Sequence, residues 1–159
     1  MREIPEFEKL QIQSLTARKQ TAIEQDLGLH LMPSHPLRQI IFESAVRPAM
    51  RAAGLTVEQV EIAFDSDTAL AEVVRWLMRA EVIVADLSAW NPDVAYVLGL
   101  CHALQRCPLM IALRPIELPF NLEALRCIRY DATNQGLHNL REELTRALRI
   151  FISASRAAG

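Results

Sequence analysis

Asp86 directly follows the apolar run Val82-Ile83-Val84-Ala85, and Asn91, Pro92 and Asp93 come shortly after it. A carboxylate at the end of a buried strand is costly unless it has partners or faces a cleft. Two roles are open to Asp86: capping the turn through Leu87 and Ser88, or accepting hydrogen bonds from ligand hydroxyls. Asn91 and Pro92 suit an N-cap and a first helical position. Asp93 falls in the first turn, where the helix dipole favours it. All three have a structural explanation, and they also shape a helix N-terminus beside a cleft. Free amides there can hold an anion, but Asp86 and Asp93 would repel it. A neutral, hydroxyl-bearing sugar suits such a pocket better than an isolated phosphate. Val97 and Cys101 continue the helix face of Asp93 at i+4 spacing, while Tyr96 and His102 point elsewhere.

Other candidates are more weakly marked. Met32-Pro33-Ser34-His35 forms the loop after the first strand, and Arg114 closes the fourth. Met32, Pro33, Ser34, His35 and Arg114 can contact a ligand, and the polar ones are equally natural as solvated loop residues. His102 reads as a core histidine with a backbone partner more readily than as a catalytic base. Cys101, His102 and Cys107 lack a fourth ligand at metal-site spacing, so no metal is expected. There is no GxGxxG, Walker or GxSxG sequence. A phospho-acceptor receiver domain also ends its third strand in aspartate, but it needs acidic metal ligands after the first strand and a lysine after the fifth. The corresponding segments here are Met32-Pro33-Ser34 and Tyr130-Asp131-Ala132.

Positioning these groups requires alternating strands and helices. Apolar runs predict strands over 27–32, 55–64, 82–85, 109–113 and 128–130. Helical spacing predicts helices over 37–53, 68–80, 92–105, 122–126 and 137–152. The stripe of the first of these is Leu37, Ile40, Ile41, Ala45, Ala49 and Ala52, with Pro48 inside it to bend it and Gly54 to end it. The run 82–85 is continuous rather than alternating, as in a central parallel strand buried on both faces. The expected fold is α/β: a doubly wound, flavodoxin-like parallel sheet of about five strands with helices on both faces. Ligands in such sheets bind outside the carboxyl ends of the strands, where strand order reverses. A polar helix over 6–25 reads as an N-terminal extension (1–26) to the domain (27–153), serving packing or dimerisation, and 154–159 reads as a disordered tail.

The 159 residues suit one core, half of them are hydrophobic, and the net charge of −2 is spread along the chain. That excludes the basic footprint of a nucleic-acid binder. No apolar run is long enough for a membrane span, and the charged start MREIPEFEKL argues against a signal peptide. Three cysteines without CxxC spacing fit buried free thiols in a reducing, cytoplasmic setting.

The string Val82 to Ser88, then Asn91-Pro92-Asp93-Val94, Tyr96-Val97-Leu98-Gly99 and Cys101-His102-Ala103-Leu104 resembles the nucleoside 2-deoxyribosyltransferase-like family and its TIR-like relatives. Leu31-Met32-Pro33, Arg47-Pro48-Ala49, Gly54-Leu55, Leu118-Pro119-Phe120-Asn121-Leu122 and Ile128-Arg129-Tyr130 extend the likeness. The resemblance implies a site at Met32, Pro33, Asp86, Ser88, Asn91, Asp93, Val97 and Arg114, a nucleoside or nucleotide ligand, a homo-oligomer, and no separate cofactor. It also implies that Val97 stands where the family has its nucleophilic glutamate, and Asn121 where it has an aspartate. The expectation is therefore a nucleoside- or nucleotide-binding domain without glycosidase chemistry. The alternatives are an active N-glycosidase or deoxyribosyltransferase using Asp86 or Asp93, and a structural or oligomerisation domain with a vestigial pocket.

Overall fold

A computed structural model describes residues 22–33, 35–62, 67–88, 91–118 and 127–157. Five strands form one parallel sheet: β1 (Glu24–Pro33), β2 (Thr56–Ile62), β3 (Ala80–Asp86), β4 (Leu109–Leu113) and β5 (Cys127–Tyr130). Their order is β2-β1-β3-β4-β5, so strand order reverses between β1 and β3. The helices are α1 (Pro36–Ile41), α2 (Arg47–Ala52), α3 (Asp67–Arg79), α4 (Pro92–Ala103) and α5 (Asn134–Ala157). The predicted α/β doubly wound class is the observed one.

Alternation along each strand divides the core between the two faces. Leu29, Leu31 and Ile83 pack with Val73, Leu77, Val94, Val97 and Leu98 of α3 and α4. Met32, Val82 and Val84 pack with Phe42, Val46, Met50, Leu140 and Leu144 from the α1–α2 rod and α5. Every residue of β3 is buried, as its uninterrupted apolar run requires.

Pro48 acts one turn before its own position. Between α1 and α2 the rod widens into a π-helical segment, Phe42–Val46, and the Arg47 N–H donates to the Phe42 carbonyl. Proline cannot donate to the preceding turn, and an i→i+5 step accommodates the lost bond without breaking the rod. Gly54, at φ 90°, then turns the chain into β2, a conformation that side chains with a Cβ resist.

The boundaries differ most from those expected at the two ends of the described chain. β1 begins at Glu24, inside the segment read as a helical extension, whose first part (1–21) lies outside the described residues. The helix expected over 122–126 also lies outside them. At the other end, 154–157 are helical rather than a tail. Arg156 explains that extension: it donates to Glu81 Oε1 at 2.7 Å and to Asp26 Oδ1 at 2.6 Å. Glu81 in turn accepts from the Asp26 N–H at 2.7 Å, which ties the last turn of α5 to the amino ends of β1 and β3. Among the described residues, no helix is long and apolar enough to cross a membrane.

Candidate functional site

Asp86 ends β3 on the face covered by α1 and α5, at the point where strand order reverses. It is 1% exposed. One oxygen, Oδ1, accepts the Ser88 N–H at 2.8 Å and closes the tight turn after the strand. Ser88 Oγ accepts the Leu113 N–H at 2.8 Å and lies 3.0 Å from Tyr130 Oη. Arg38, in the first turns of α1, is also buried. Its Nη1 donates to Tyr130 Oη at 3.1 Å and sits 3.6 Å from Asp86 Oδ2. Four elements thus meet in one polar cluster at the carboxyl edge: α1 through Arg38, β3 and its turn through Asp86 and Ser88, the end of β4 through Leu113, and β5 through Tyr130.

Two atoms of this cluster have no hydrogen-bond partner among the described residues: Asp86 Oδ2 and Arg38 Nε. Buried polar groups are rarely left so, because each costs the full desolvation of an unmade bond. Burial pushes the Asp86 carboxyl above the usual range, while the bonds from Ser88 and the Arg38 charge oppose the shift. The Tyr130 hydroxyl is pushed up to about 12, by burial first and by the Asp86 charge second. The arrangement therefore holds an acceptor and a strong donor side by side, shielded from water.

The remaining expected site residues are distributed differently. Met32 is fully buried, with Gln59 Nε2 3.2 Å from its sulfur, and Pro33 is buried too. Asn91 caps α4: its Oδ1 accepts the Asp93 N–H at 2.7 Å and the Val94 N–H at 3.4 Å. Asp93 is half-buried in the first turn. Val97 is wholly inside the core between α4 and the sheet. Arg114 is exposed and pairs with exposed Asp131 at 3.6 Å. His35 caps α1, its Nδ1 accepting the Leu37 N–H at 3.2 Å. His102 is exposed rather than a core histidine, and of the thiols only Cys101 is buried, Cys107 being exposed. Ser34 and Asn121 lie outside the described residues. No group of three metal-ligating side chains occurs among those described. So Asp86 and Ser88 come together, while Val97 and Arg114 do not join them. Sequence reasoning missed Arg38 and Tyr130. Tyr130, polar-tipped at a strand's carboxyl end, was the one visible signal.

Val97→Ala tests its placement. Removing two buried carbons is expected to cost about 2 kcal/mol in a urea titration, with ligand binding at the Asp86 cluster unchanged. Full stability in that variant would mean that Val97 lines an open pocket.

A cavity of about 280 Å³ lies at the opposite, amino end of the sheet, bordered by Glu81, Ile83, Arg106, Cys107 and Phe151. Its charged groups are already engaged: Arg106 donates to the carbonyls of Ala80 and Glu81, and Glu81 is held by Arg156. Among the described residues, the buried side-chain atoms without a hydrogen-bond partner are at Arg38 and Asp86 on the carboxyl edge and at His30 within β1.

No protein-family profile matches the chain. No curated protein matches it either. Solved structures do. A flavoprotein from Thermotoga maritima aligns with a TM-score of 0.62 and 11% identity, over 87% of this chain and 38% of that one. Two single-residue variants of a flavo di-iron protein from the same organism align at 0.60 and 11%, over 85% and 86% of this chain. The fold is flavodoxin-like. The chain spans a little over a third of the length of these proteins. These findings overturn the likeness to nucleoside 2-deoxyribosyltransferases and TIR-like proteins, and with it the nucleoside-binding, glycosidase and vestigial-pocket readings. Much of what carried the likeness has a structural role in this fold: the buried strand β3, the Asn91-Pro92 start of α4, and Val94, Val97, Leu98 and Cys101 packed in the core.

Proposed function

We propose that the protein binds a flavin at the carboxyl edge of its sheet, with the ring system against the Arg38–Asp86 pair. The observation that carries this reading is the buried Arg38–Asp86 pair, Nη1 to Oδ2 at 3.6 Å, in which Arg38 Nε and Asp86 Oδ2 have no hydrogen-bond partner among the described residues. The pyrimidine edge of an isoalloxazine ring presents a carbonyl acceptor next to an N–H donor, the complement of that pair. Asp86 Oδ2 would accept from the ring N–H, and Arg38 would donate to the ring carbonyl. The position agrees with the rule for this strand order, in which ligands sit at the β1/β3 reversal. The flavoproteins of the same fold add weight to the choice of ring. A bound flavin supplies electron-transfer chemistry. The chain's own contribution is to orient the ring edge by hydrogen bonds in a water-poor setting, where such bonds are strong.

Titration of the protein into riboflavin, followed by flavin fluorescence, is the direct test. The expected result is saturable quenching at one site and a rise in thermal stability with ligand, as mass action requires. The double variant Arg38→Met, Asp86→Leu, which leaves no buried charge unpaired, should retain the fold and lose the quenching. A flat titration with the folded wild-type protein would sink the proposal.

A further inference from the structure

We infer that the cavity at the amino end of the sheet is a second ligand site, one that takes a small organic carboxylate with an apolar body through Arg106. The site lies at the opposite end of the sheet from the Arg38–Asp86 pair and is independent of the flavin reading.

Two helix ends build it. α4 finishes in a left-handed residue, Gln105 at φ 57°, and the Arg106 N–H returns to the Cys101 carbonyl at 2.8 Å, an arrangement that ends many helices. That turn sets Arg106 and Cys107 at the cavity's border. Phe151, Ala154 and Ser155 come from α5, whose last turn is held by the bonds of Arg156 to Glu81 and Asp26. Ile83 and Glu81 of β3 complete the lining. Every residue that borders the cavity is among those described, and its volume, about 280 Å³, suits a ligand at the small end of the usual range.

Charge decides the class of ligand. Glu81 is fully matched: Arg156 Nε donates to its Oε1 at 2.7 Å, while Arg156 Nη2 and the Asp26 N–H donate to its Oε2 at 2.8 and 2.7 Å. Arg106 is not. Its Nη2 donates to the carbonyls of Ala80 and Glu81, and a carbonyl accepts a hydrogen bond without neutralising a charge. Among the described residues no carboxylate pairs with Arg106, and its Nε and Nη1 make no hydrogen bond. Burial pushes this half-buried guanidinium below its ordinary pKa, so its charge is poorly solvated where it stands. The carboxyl end of α4 supplies about half a negative charge, less than the full charge of Arg106. Its last carbonyls are also taken: Leu100 by the Leu104 N–H, Cys101 by that of Arg106, His102 by that of Gln105. A carboxylate provides both the missing charge and acceptors for the unused N–H groups. An inorganic anion would do so too, but it would leave Ile83, Phe151 and Ala154 bare, whereas a hydrocarbon body covers them.

The test compares benzoate with benzyl alcohol, which has the same ring and no charge, by calorimetric titration of the full chain. Cys107, exposed at the cavity's border, reports the location through its rate of alkylation by iodoacetamide, followed by peptide mass spectrometry. Benzoate is expected to bind saturably and to slow alkylation of Cys107, and the alcohol to bind at least about tenfold more weakly. Arg106→Gln keeps N–H groups for the Ala80 and Glu81 carbonyls and removes the charge, so it should weaken benzoate by about tenfold and leave the alcohol unchanged. Should that variant fail to fold, the wild-type comparison decides alone. No saturable binding of benzoate to the wild-type protein, equal binding of the alcohol, or bound benzoate that leaves Cys107 alkylation unchanged overturns the inference. Each of those outcomes leaves the flavin reading untouched.

Discussion

Arg38→Met is expected to destabilise the protein by about 3–5 kcal/mol near neutral pH, the usual cost of removing one partner of a buried ion pair. Arg38 is 3% exposed and Asp86 1%, so neither charge can turn to solvent when the other is removed. The variant would leave Asp86 with only the Ser88 bonds and would strip Tyr130 of its donor. The loss depends on pH, and its sign is fixed by Asp86. Burial already raises that carboxyl above its ordinary value, and losing the Arg38 charge raises it further. A group whose folded pKa exceeds its unfolded one weakens the fold as pH rises through the interval between them. The variant should therefore recover stability as pH is lowered toward the range where the carboxyl carries its proton. The double variant Arg38→Met, Asp86→Leu should regain most of the loss at neutral pH, because a buried ion pair replaced by apolar groups is often neutral or stabilising. Urea midpoints at two pH values decide the matter. A loss independent of pH, or a double variant no better than the single, would mean that Arg38 acts through packing alone.

The same pair shows where sequence reading stops. β4 is observed over Leu109–Leu113, as its apolar run predicts, and β3 extends the predicted 82–85 by a few residues at its ends. Strands buried on both faces are legible because their composition alone excludes solvent. The α1 stripe is harder. Its spacing puts Leu37 and Ile40 in the core, but they are 37% and 57% exposed, while Arg38 between them is buried. Hydrophobic periodicity assigns charged residues to the solvent face, so it rotates a helix that buries an arginine away from its true orientation. A buried arginine becomes visible only when its carboxylate, some fifty residues away in sequence, is placed beside it. Asp86 is legible as a special position because a charge ending an apolar strand demands an account. Its partners are not, since Arg38 and Tyr130 reach it only through the sheet order. For the same reason His30 reads as an ordinary strand residue.

His30 lies on β1 facing the α1–α2 rod, wholly buried, with its ring stacked on Phe42 at 4.9 Å and 3° between planes. Neither ring nitrogen has a hydrogen-bond partner among the described residues. Burial holds its pKa down at about 3, against an ordinary value of 6.5. The unfolded chain therefore takes up a proton below about pH 6.5 that the folded protein refuses until about pH 3. His30 lets the fold keep its full stability above the first value and drains it as pH falls toward the second. Each whole step in pH across that interval costs about 1.36 kcal/mol, so the loss reaches about 2 kcal/mol by pH 5 and approaches about 5 kcal/mol near pH 3. Glu81, held low by Arg156, adds a loss of the same sign at lower pH, and Asp86 contributes the opposite sign. Comparison with His30→Leu cancels both. That variant removes two unsatisfied nitrogens but also the stacked ring, effects of similar size and opposite sign. The two proteins should be close in stability at pH 8 and diverge by about 2 kcal/mol at pH 5 in favour of leucine. Parallel stability curves across that interval would show that the folded protein protonates His30 as readily as the unfolded chain does, and that its ring nitrogens reach water.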